Sequence, residues 1–111
     1  MSYYVYMLLC SDGSIYTGIA ADIDRRMKEH FSGGSRCAKY TKVHCAEKLE
    51  TVWECSGKPD ALRLEYRIKQ LRKAAKQKLI DGKMDISEIA EGIAQCGRVD
   101  LAEQYIRWEK T

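Results

Sequence analysis

The 111-residue sequence has one proline, little net charge and no long hydrophobic run, although 45% of its residues are hydrophobic and 32% are charged. This composition excludes collagen-like, low-complexity and disordered chains. No segment approaches the 18 or so consecutive apolar residues of a membrane-spanning helix, and the N-terminus lacks the basic start and cleavage site of a signal peptide. We therefore expect a cytoplasmic protein with one core and no membrane contact.

Paired cysteine motifs are also missing. The five cysteines make an odd number and include no Cys-x-x-Cys pair, which argues against a disulfide framework and against a zinc ribbon. Cys37, His44 and Cys45 come nearest to metal-ligand spacing, but a zinc site normally needs four ligands in two close pairs. We interpret the cysteines as small, partly buried hydrophobic residues in a reducing compartment.

The net charge of +3 hides a contrast along the chain. Residues 1–80 carry 15 basic and 9 acidic side chains, whereas residues 81–111 carry 4 and 7. The densest basic cluster lies in one predicted helix and comprises Arg63, Arg67, Lys69, Arg72, Lys73, Lys76 and Lys78. Such a cluster is either a solvated helix face or a surface that meets phosphates. The acidic segment 81–111 is a candidate surface for a protein partner.

Turn residues and apolar spacing predict the order of the elements. Asp12-Gly13 separates two strand-like runs, Tyr3 to Cys10 and Ile15 to Ile19, which is typical of an antiparallel hairpin. Asp22 is placed to cap a helix from Ile23 to about Phe31. Arg36 to Ala46 has no sustained period and reads as a long loop, and the alternation of Leu49 to Cys55 predicts a third strand.

Two further patterns complete the predicted fold. Pro59 suits the first turn of a helix that an apolar stripe extends to about Ile80. Two short C-terminal helices are expected, over about 86–93 and 101–108. We therefore predict an α+β domain over residues 1–80, in which a small three-stranded antiparallel sheet is flanked by helices, and an acidic helical extension over residues 81–111 packed on it.

Several polar residues fall at positions where they can act together. Tyr4 and Tyr6 project from one face of the first strand, beside Tyr16 on the second strand. Arg26 and His30 are four residues apart on one helix face. Each has an ordinary structural explanation, and another candidate, Glu65, is correctly spaced to pair with Lys69.

In combination these residues follow the pattern of a known family. The strings Tyr4-Val5-Tyr6, Tyr16-Thr17-Gly18 and Asp24 to His30, followed by Ala38 to Thr41 and Ala61 to Leu71, resemble the GIY-YIG nuclease superfamily. The last two strings are similar to its small stand-alone branch of single-domain bacterial proteins. The first motif departs from the pattern, since it reads Tyr-Val-Tyr rather than Gly-Ile-Tyr, but its final tyrosine is kept.

The resemblance implies a metal-dependent endonuclease that hydrolyses phosphodiester bonds. It makes Tyr6 and Tyr16 the paired motif tyrosines, Tyr4 and Gly18 structural motif residues, Glu65 the ligand of Mg²⁺ or Mn²⁺, and the catalytic set Tyr6, Tyr16, Arg26, His30 and Glu65. The residue types suit this chemistry, because a guanidinium matches phosphate oxygens and one carboxylate can hold a strongly hydrated cation. A tyrosine acting as the base needs nearby positive charge to lower its pKa, and Tyr6 and Tyr16 remain equal candidates.

The substrate is expected to be DNA at structured or damaged sites, with a role in DNA repair, because one small domain has little surface for reading a long sequence. RNA remains open, as does the oligomeric state. The candidate nucleic-acid contacts are Lys39, Tyr40, Thr41 and Lys42 on the long loop, and Lys69 and Arg72 in the basic helix. The alternatives are a nucleic-acid-binding module without catalysis and a protein-interaction domain.

Overall fold

The structure of the protein is a computed structural model that describes residues 2–32, 46–90 and 96–99. It is an α+β fold built on a four-stranded antiparallel sheet with the strand order β2-β1-β3-β4. Among the described residues no helix is both long and apolar enough to cross a membrane. The elements in chain order are β1 (Tyr3–Cys10), β2 (Ile15–Ala20), α1 (Ile23–Ser32), β3 (Ala46–Cys55), α2 (Lys58–Lys69), α3 (Lys73–Ile80), a 3₁₀ turn (Ile86–Glu88) and β4 (Cys96–Val99).

The hairpin of β1 and β2 forms at the predicted turn. Gly13 has a φ of 84°, in the left-handed region that glycine adopts at little cost. The Cys10 amide donates to the Ser14 carbonyl at 2.9 Å, and the two strands pair from Leu9 opposite Ile15 onwards. The prediction of an antiparallel hairpin is confirmed.

The first helix, α1, also begins where the sequence predicts. The Arg25 amide donates to Asp22 Oδ1 at 3.1 Å, which satisfies one of the free N–H groups of the first turn. Ile23 and Met27 are buried against the sheet. This packing fixes the direction in which the other faces of α1 point, including the face that carries His30.

The sheet has a different layer on each side because side chains alternate along a strand. Val5 and Met7 of β1 face α2 and α3, in a core that includes Leu64, Ile68 and Leu79. The alternate β1 residues face α1, in a second cluster that comprises Tyr6, Leu8, Ile23, Met27, Leu49 and Val52. We call these sides the α2 face and the α1 face.

The basic segment forms two helices, so the prediction of one helix from Pro59 to Ile80 is wrong. The helix α2 ends at Lys69, the Gln70 amide donates to the Arg67 and Ile68 carbonyls, and Arg72 is extended before α3 begins. One straight helix over this segment would be about 33 Å long and would carry its second half past the sheet. The break turns the chain so that Leu79 packs into the same core as Ile68.

The C-terminal segment also differs from its prediction. Within the described part of the first predicted helix, residues 86–90, there is a 3₁₀ turn, with Asp85 and Glu88 forming a capping box. The segment then adds β4 to the edge of β3, with Val52 opposite Val99, so the predicted three-stranded sheet has four strands. The second predicted helix, over 101–108, lies outside the described residues.

Two contacts hold β4 in place. Cys55 and Cys96 are opposite one another in the β3–β4 register and are joined as a disulfide, which corrects the interpretation of these cysteines as unpaired hydrophobic residues. The Arg98 guanidinium donates to the Leu79 carbonyl at 2.9 Å and to the Ile80 carbonyl at 2.7 Å. These carbonyls end α3, where cations and donors are favourable. Cys37, His44 and Cys45 lie outside the described residues.

Candidate active site

The centre of the site is the Tyr6 side chain, which projects from β1 on the α1 face. Its side chain is only 1% exposed, and its hydroxyl lies 2.7 Å from Nε2 of His30. His30 is likewise 2% exposed. Two polar groups are therefore buried together in an apolar layer, and they satisfy each other.

Gly18 makes room for the Tyr6 ring. The two residues are directly opposite in the β1–β2 register. A Cβ atom at position 18 would lie 2.5 Å from the Tyr6 hydroxyl oxygen and 2.7 Å from Cζ, distances that no side chain tolerates without movement. The glycine of the Tyr-Thr-Gly string is thus required by the close approach of the tyrosine ring across the hairpin.

Tyr16 completes a cluster of three rings. Its ring centroid lies 6.2 Å from that of Tyr6 and 5.4 Å from that of His30, and the Tyr6 and His30 centroids are 5.4 Å apart. These separations are typical of favourable aromatic pairs. Tyr16 is half-buried, so it forms the part of the cluster that solvent can reach.

Arg26 lies one turn before His30 on α1. Its Nη1 atom contacts Oε1 of Glu29 at 2.8 Å, and its side chain is 25% exposed. Burial lowers the pKa of Arg26, but hydrogen bonds to Glu29 and Tyr6 outweigh that effect and raise it. The guanidinium is therefore a permanent positive charge beside the ring cluster. Glu29 was not predicted as a site residue, although its spacing of three from Arg26 on a helix was the available signal.

His30 is neutral at physiological pH. Burial, followed by the positive charge of Arg26, lowers the pKa of His30 to about 4. Because a guanidinium has only donors, the Tyr6 oxygen accepts from Arg26. The Tyr6 hydroxyl and His30 Nε2 share the 2.7 Å hydrogen bond, whose direction depends on the tautomer of the neutral imidazole.

Tyr6 is protonated in this environment. Burial and the neighbouring Tyr16 raise the pKa of Tyr6, and the bond and charge of Arg26 lower it without reversing the shift. The positive charge of Arg26 lowers the pKa of this motif tyrosine, as expected, but the increase caused by desolvation is larger. The buried tyrosine therefore acts in the free protein as a hydrogen-bonding hydroxyl and not as a phenolate.

Glu65 is carried by α2. Its negative charge is one of the smaller causes that raise the pKa of Tyr6, so it acts on that hydroxyl through space. Its side chain is 17% exposed, and Oε2 lies 3.2 Å from Nζ of Lys69. The ion pair expected from the spacing is thus present, and the role of Glu65 towards the tyrosines stays a prediction.

The surroundings of Glu65 suit a hydrated cation. Among the described residues no group of three or more His, Cys, Asp or Glu side chains is placed to hold a metal ion. A single carboxylate such as that of Glu65 would hold a strongly hydrated cation, with water as its other ligands. Mg²⁺ suits this donor set, because it retains several waters and binds through few carboxylates, whereas Zn²⁺ normally takes at least three protein ligands.

The remaining predicted residues lie at different places. Lys39, Tyr40, Thr41 and Lys42 fall outside the described residues. Lys69 and Arg72 are exposed near the end of α2. Tyr4 lies on the α1 face, where its hydroxyl donates to Glu54 Oε2 at 3.3 Å, and burial followed by the charge of Glu54 raises the pKa of Tyr4.

Comparison with known proteins accounts for this arrangement. The family model described as the GIY-YIG catalytic domain matches residues 2–79. The chain belongs to the GIY-YIG family. The match begins before β1 and ends within α3, so it contains the three rings, Arg26, Gly18 and Glu65, and it confirms the resemblance drawn from the motifs.

Relatives within the GIY-YIG family are small proteins. The chain is 44% identical over 80 residues to the UPF0213 protein BH0048 of Halalkalibacterium halodurans, covering 72% of this chain and 83% of that protein. It is 48% identical over 80 residues to the UPF0213 protein FN1575 of Fusobacterium nucleatum, covering 72% and 78%. The solution NMR structure of BH0048 from Bacillus halodurans matches with 39% identity and a TM-score of 0.50, covering 86% of this chain and 99% of that one. These names specify no activity.

Proposed function

We propose that this protein is a metal-dependent endonuclease that hydrolyses DNA phosphodiester bonds at structured or damaged sites. The observation that carries the proposal is the convergence of Tyr6, Tyr16, His30 and Arg26 on the α1 face of a GIY-YIG domain. A structural core has no need of a permanent cation beside two tyrosines and a histidine. The arrangement suits a reaction in which negative charge develops on phosphate oxygens.

In this proposal Arg26 binds the non-bridging oxygens of the scissile phosphate. Its guanidinium is partly exposed and held by Glu29, so it presents its remaining donors in a fixed orientation. A planar fork of donors matches two phosphate oxygens and stabilises the additional charge of the transition state.

The two tyrosines have different roles. Tyr16 is half-buried and is the tyrosine that an attacking water can reach, so we assign it as the group whose phenolate form accepts the proton of that water. Tyr6 is buried, protonated and bonded to His30 and Arg26, so it positions these two residues. This assignment gives different roles to Tyr6 and Tyr16, which the sequence left as equal candidates for the base.

Glu65 is the residue that would hold Mg²⁺ or Mn²⁺, and the bound cation would supply charge stabilisation for the departing oxygen. The partial burial of Glu65 and the effect of its charge on the pKa of Tyr6 support this role. Lys69, which pairs with Glu65 at 3.2 Å, neutralises the carboxylate when no metal is bound.

The direct test is cleavage of duplex, single-stranded, flap and branched DNA and of RNA, with Mg²⁺ or Mn²⁺. We expect metal-dependent cleavage that falls at least 100-fold in Glu65→Gln and in Arg26→Gln, because each variant removes a charge that stabilises the transition state. Glu50→Gln, which alters a partly buried carboxylate of β3 that is likewise paired with a lysine, Lys48, is the matched control and should retain activity. Cleavage that persists in Glu65→Gln would contradict the assignment.

The second candidate is a nucleic-acid-binding module without catalysis. The ion pair between Glu65 and Lys69 favours it, since a carboxylate in an ion pair has a structural role without a metal. In that case DNA binding would fall with rising salt, would be unchanged in Glu65→Gln, and no substrate would be cleaved.

A further inference from the structure

Helix α2 carries two large apolar side chains on its surface. Among the described residues the exposed large hydrophobic side chains are Leu62, at 44% exposure, and Tyr66, at 60%. Single exposed apolar residues are ordinary, but these two are four residues apart on one helix and are therefore neighbours. We call this surface the Leu62–Tyr66 pair.

The pair is adjacent to the carboxylate of the candidate active site. The buried stripe of α2 is formed by Ala61, Leu64 and Ile68. At about 100° per residue, Glu65 lies at the edge of this stripe, and Leu62 and then Tyr66 follow on the same side of the helix. The apolar surface is thus continuous with Glu65, the proposed metal ligand.

Exposed cations lie on both sides of the pair. Lys69 is 52% exposed, lies beside Leu62 on the helix surface and contacts Glu65 at 3.2 Å. Arg63 is 49% exposed, follows Tyr66 around the helix and contacts Asp60 at 3.6 Å. An aromatic ring between two cations is complementary to a nucleotide, in which a flat base is attached to a negatively charged phosphate. The same charges are unfavourable for an apolar helix of a partner protein.

We propose that the Leu62–Tyr66 pair is a stacking platform for an unpaired base next to the scissile phosphate, and that it selects substrates with unpaired bases over continuous duplex. The inference rests on the proposed function, because it names the substrate class of the same site. The face of a base in a continuous duplex is covered by its neighbours, whereas a base in a flap, loop or single strand can stack on Tyr66. Leu62 then supports the ring from the preceding turn.

The test measures binding separately from cleavage. The full-length Glu65→Gln protein is titrated, without divalent metal, into a single-stranded oligonucleotide containing 2-aminopurine and into the matching duplex. We expect quenching of the fluorescence on the single strand. Tyr66→Ala should weaken single-strand binding by about 5-fold to 150-fold, the range that corresponds to stacking of one base, and should change duplex binding by less than twofold.

Two further variants, compared with Tyr66→Ala, make the outcome specific. Tyr66→Trp should retain quenching because it keeps a stacking surface. Arg67→Ala, about 100° around α2 from Tyr66, should weaken both DNA forms equally, because it removes only a phosphate-binding charge. Equal weakening of both forms by Tyr66→Ala, or no weakening, would overturn the proposal. So would a dimer that Tyr66→Ala converts to a monomer while DNA binding is unchanged, since the pair would then be an interface between copies of the chain.

The two proposals fail in different experiments. If the wild-type protein with metal cleaves none of the substrates, the nuclease proposal fails, and the binding result on the single strand still decides the platform. If cleavage occurs but duplex and single strand bind alike in all variants, the platform is wrong and the nuclease remains.

Discussion

The two faces of the sheet differ in whether their buried polar groups are hydrogen-bonded. On the α1 face the Tyr6 hydroxyl and His30 Nε2 are both buried and are bonded at 2.7 Å. On the α2 face Thr17 and Thr51 lie opposite Met7 on either side, and their buried hydroxyls have no hydrogen-bond partner among the described residues. The same strand, β1, lies at the centre of both faces. The difference indicates that the α1 face is organised around hydrogen bonds, whereas the α2 face is organised around apolar packing.

The largest expected effect is that of Gly18→Ala on the α1 face. The added methyl group would overlap the Tyr6 hydroxyl and Cζ at 2.5 and 2.7 Å, so the ring must move away from His30 and Arg26. A displacement of about 1 Å costs about 100-fold in activity, and the overpacking costs about 1–3 kcal/mol of unfolding free energy. Cleavage assays and urea denaturation measure the two effects.

Gly97→Ala is the matched control for that substitution. Gly97 is also in a strand, but a Cβ atom there would meet nothing within 4 Å. We expect its activity and stability to remain close to those of the wild type. Equal behaviour of the two variants would contradict the role of Gly18 in admitting the tyrosine ring.

On the α2 face, the largest loss of stability should follow removal of the disulfide. Cys55 and Cys96 are separated by 41 residues, and closing a loop of this length stabilises a protein by about 2–4 kcal/mol. Cys96→Ser should lower the unfolding free energy by that amount, with little effect on the ring cluster. Reductant should destabilise the wild type to the same level and leave the variant unchanged; a wild type insensitive to reductant would refute the disulfide.

The buried histidine predicts a pH dependence specific to the α1 face. Because the pKa of His30 is about 4 in the folded protein and about 6.5 when unperturbed, the unfolded chain binds the proton first as the pH falls. The unfolding free energy should therefore decrease between about pH 6.5 and about pH 4, by up to about 3 kcal/mol. Above pH 6.5 the histidine is neutral in both states and contributes no slope.

The measurement is the difference between wild type and His30→Phe in urea denaturation at several pH values. Carboxylates titrate in the same range, but they are common to both proteins. The unfolding free energy of the wild type minus that of His30→Phe should decrease towards low pH, since only the wild type has to lose a proton from residue 30 in order to refold. A difference independent of pH would show that the pKa of His30 is the same in the folded and unfolded protein, and would contradict the lowered pKa.

The smallest effects compare hydroxyl groups on the two faces. Tyr6→Phe should lower the unfolding free energy by about 1–3 kcal/mol, because it leaves His30 Nε2 buried without its partner. Thr51→Val, which removes a buried hydroxyl that has no partner, should be neutral or stabilising by up to about 1 kcal/mol. Chemical denaturation of both variants measures the contrast, and a loss on Thr51→Val as large as that on Tyr6→Phe would remove the distinction between the faces.

Part of this fold could be predicted because its signals are local. The turn at Gly13 and the cap at Asp22 each depend on residues within four positions of one another, and both predictions are confirmed. The same is true of the motif residues Tyr6 and Gly18, whose identity and order led to the GIY-YIG family. The catalytic, metal-binding and nucleic-acid-binding roles, and the boundary near residue 80, stay predictions.

The errors arose where distant residues decided the structure. The break between α2 and α3 follows from the need to bring Leu79 back to the core, which the continuous apolar stripe did not indicate. The strand β4 has only four residues, too few for a pattern, and forms because β3 offers an edge and Cys55 offers a disulfide partner. Glu29 was missed because its value lies in holding Arg26 beside the rings.

The sequence by itself determined the hairpin, the first helix and its cap, the two-sided sheet and the family, because each depends on short-range patterns of turn residues, apolar spacing and motif order. Only the tertiary structure decided which polar groups share one environment. Tyr6 is buried against Gly18 and His30, with Arg26 beside them. This burial and this charge set the pKa of Tyr6 and the pKa of His30. The physical reason is that desolvation and hydrogen bonding act through space, between strands and helices that the chain brings together only on folding.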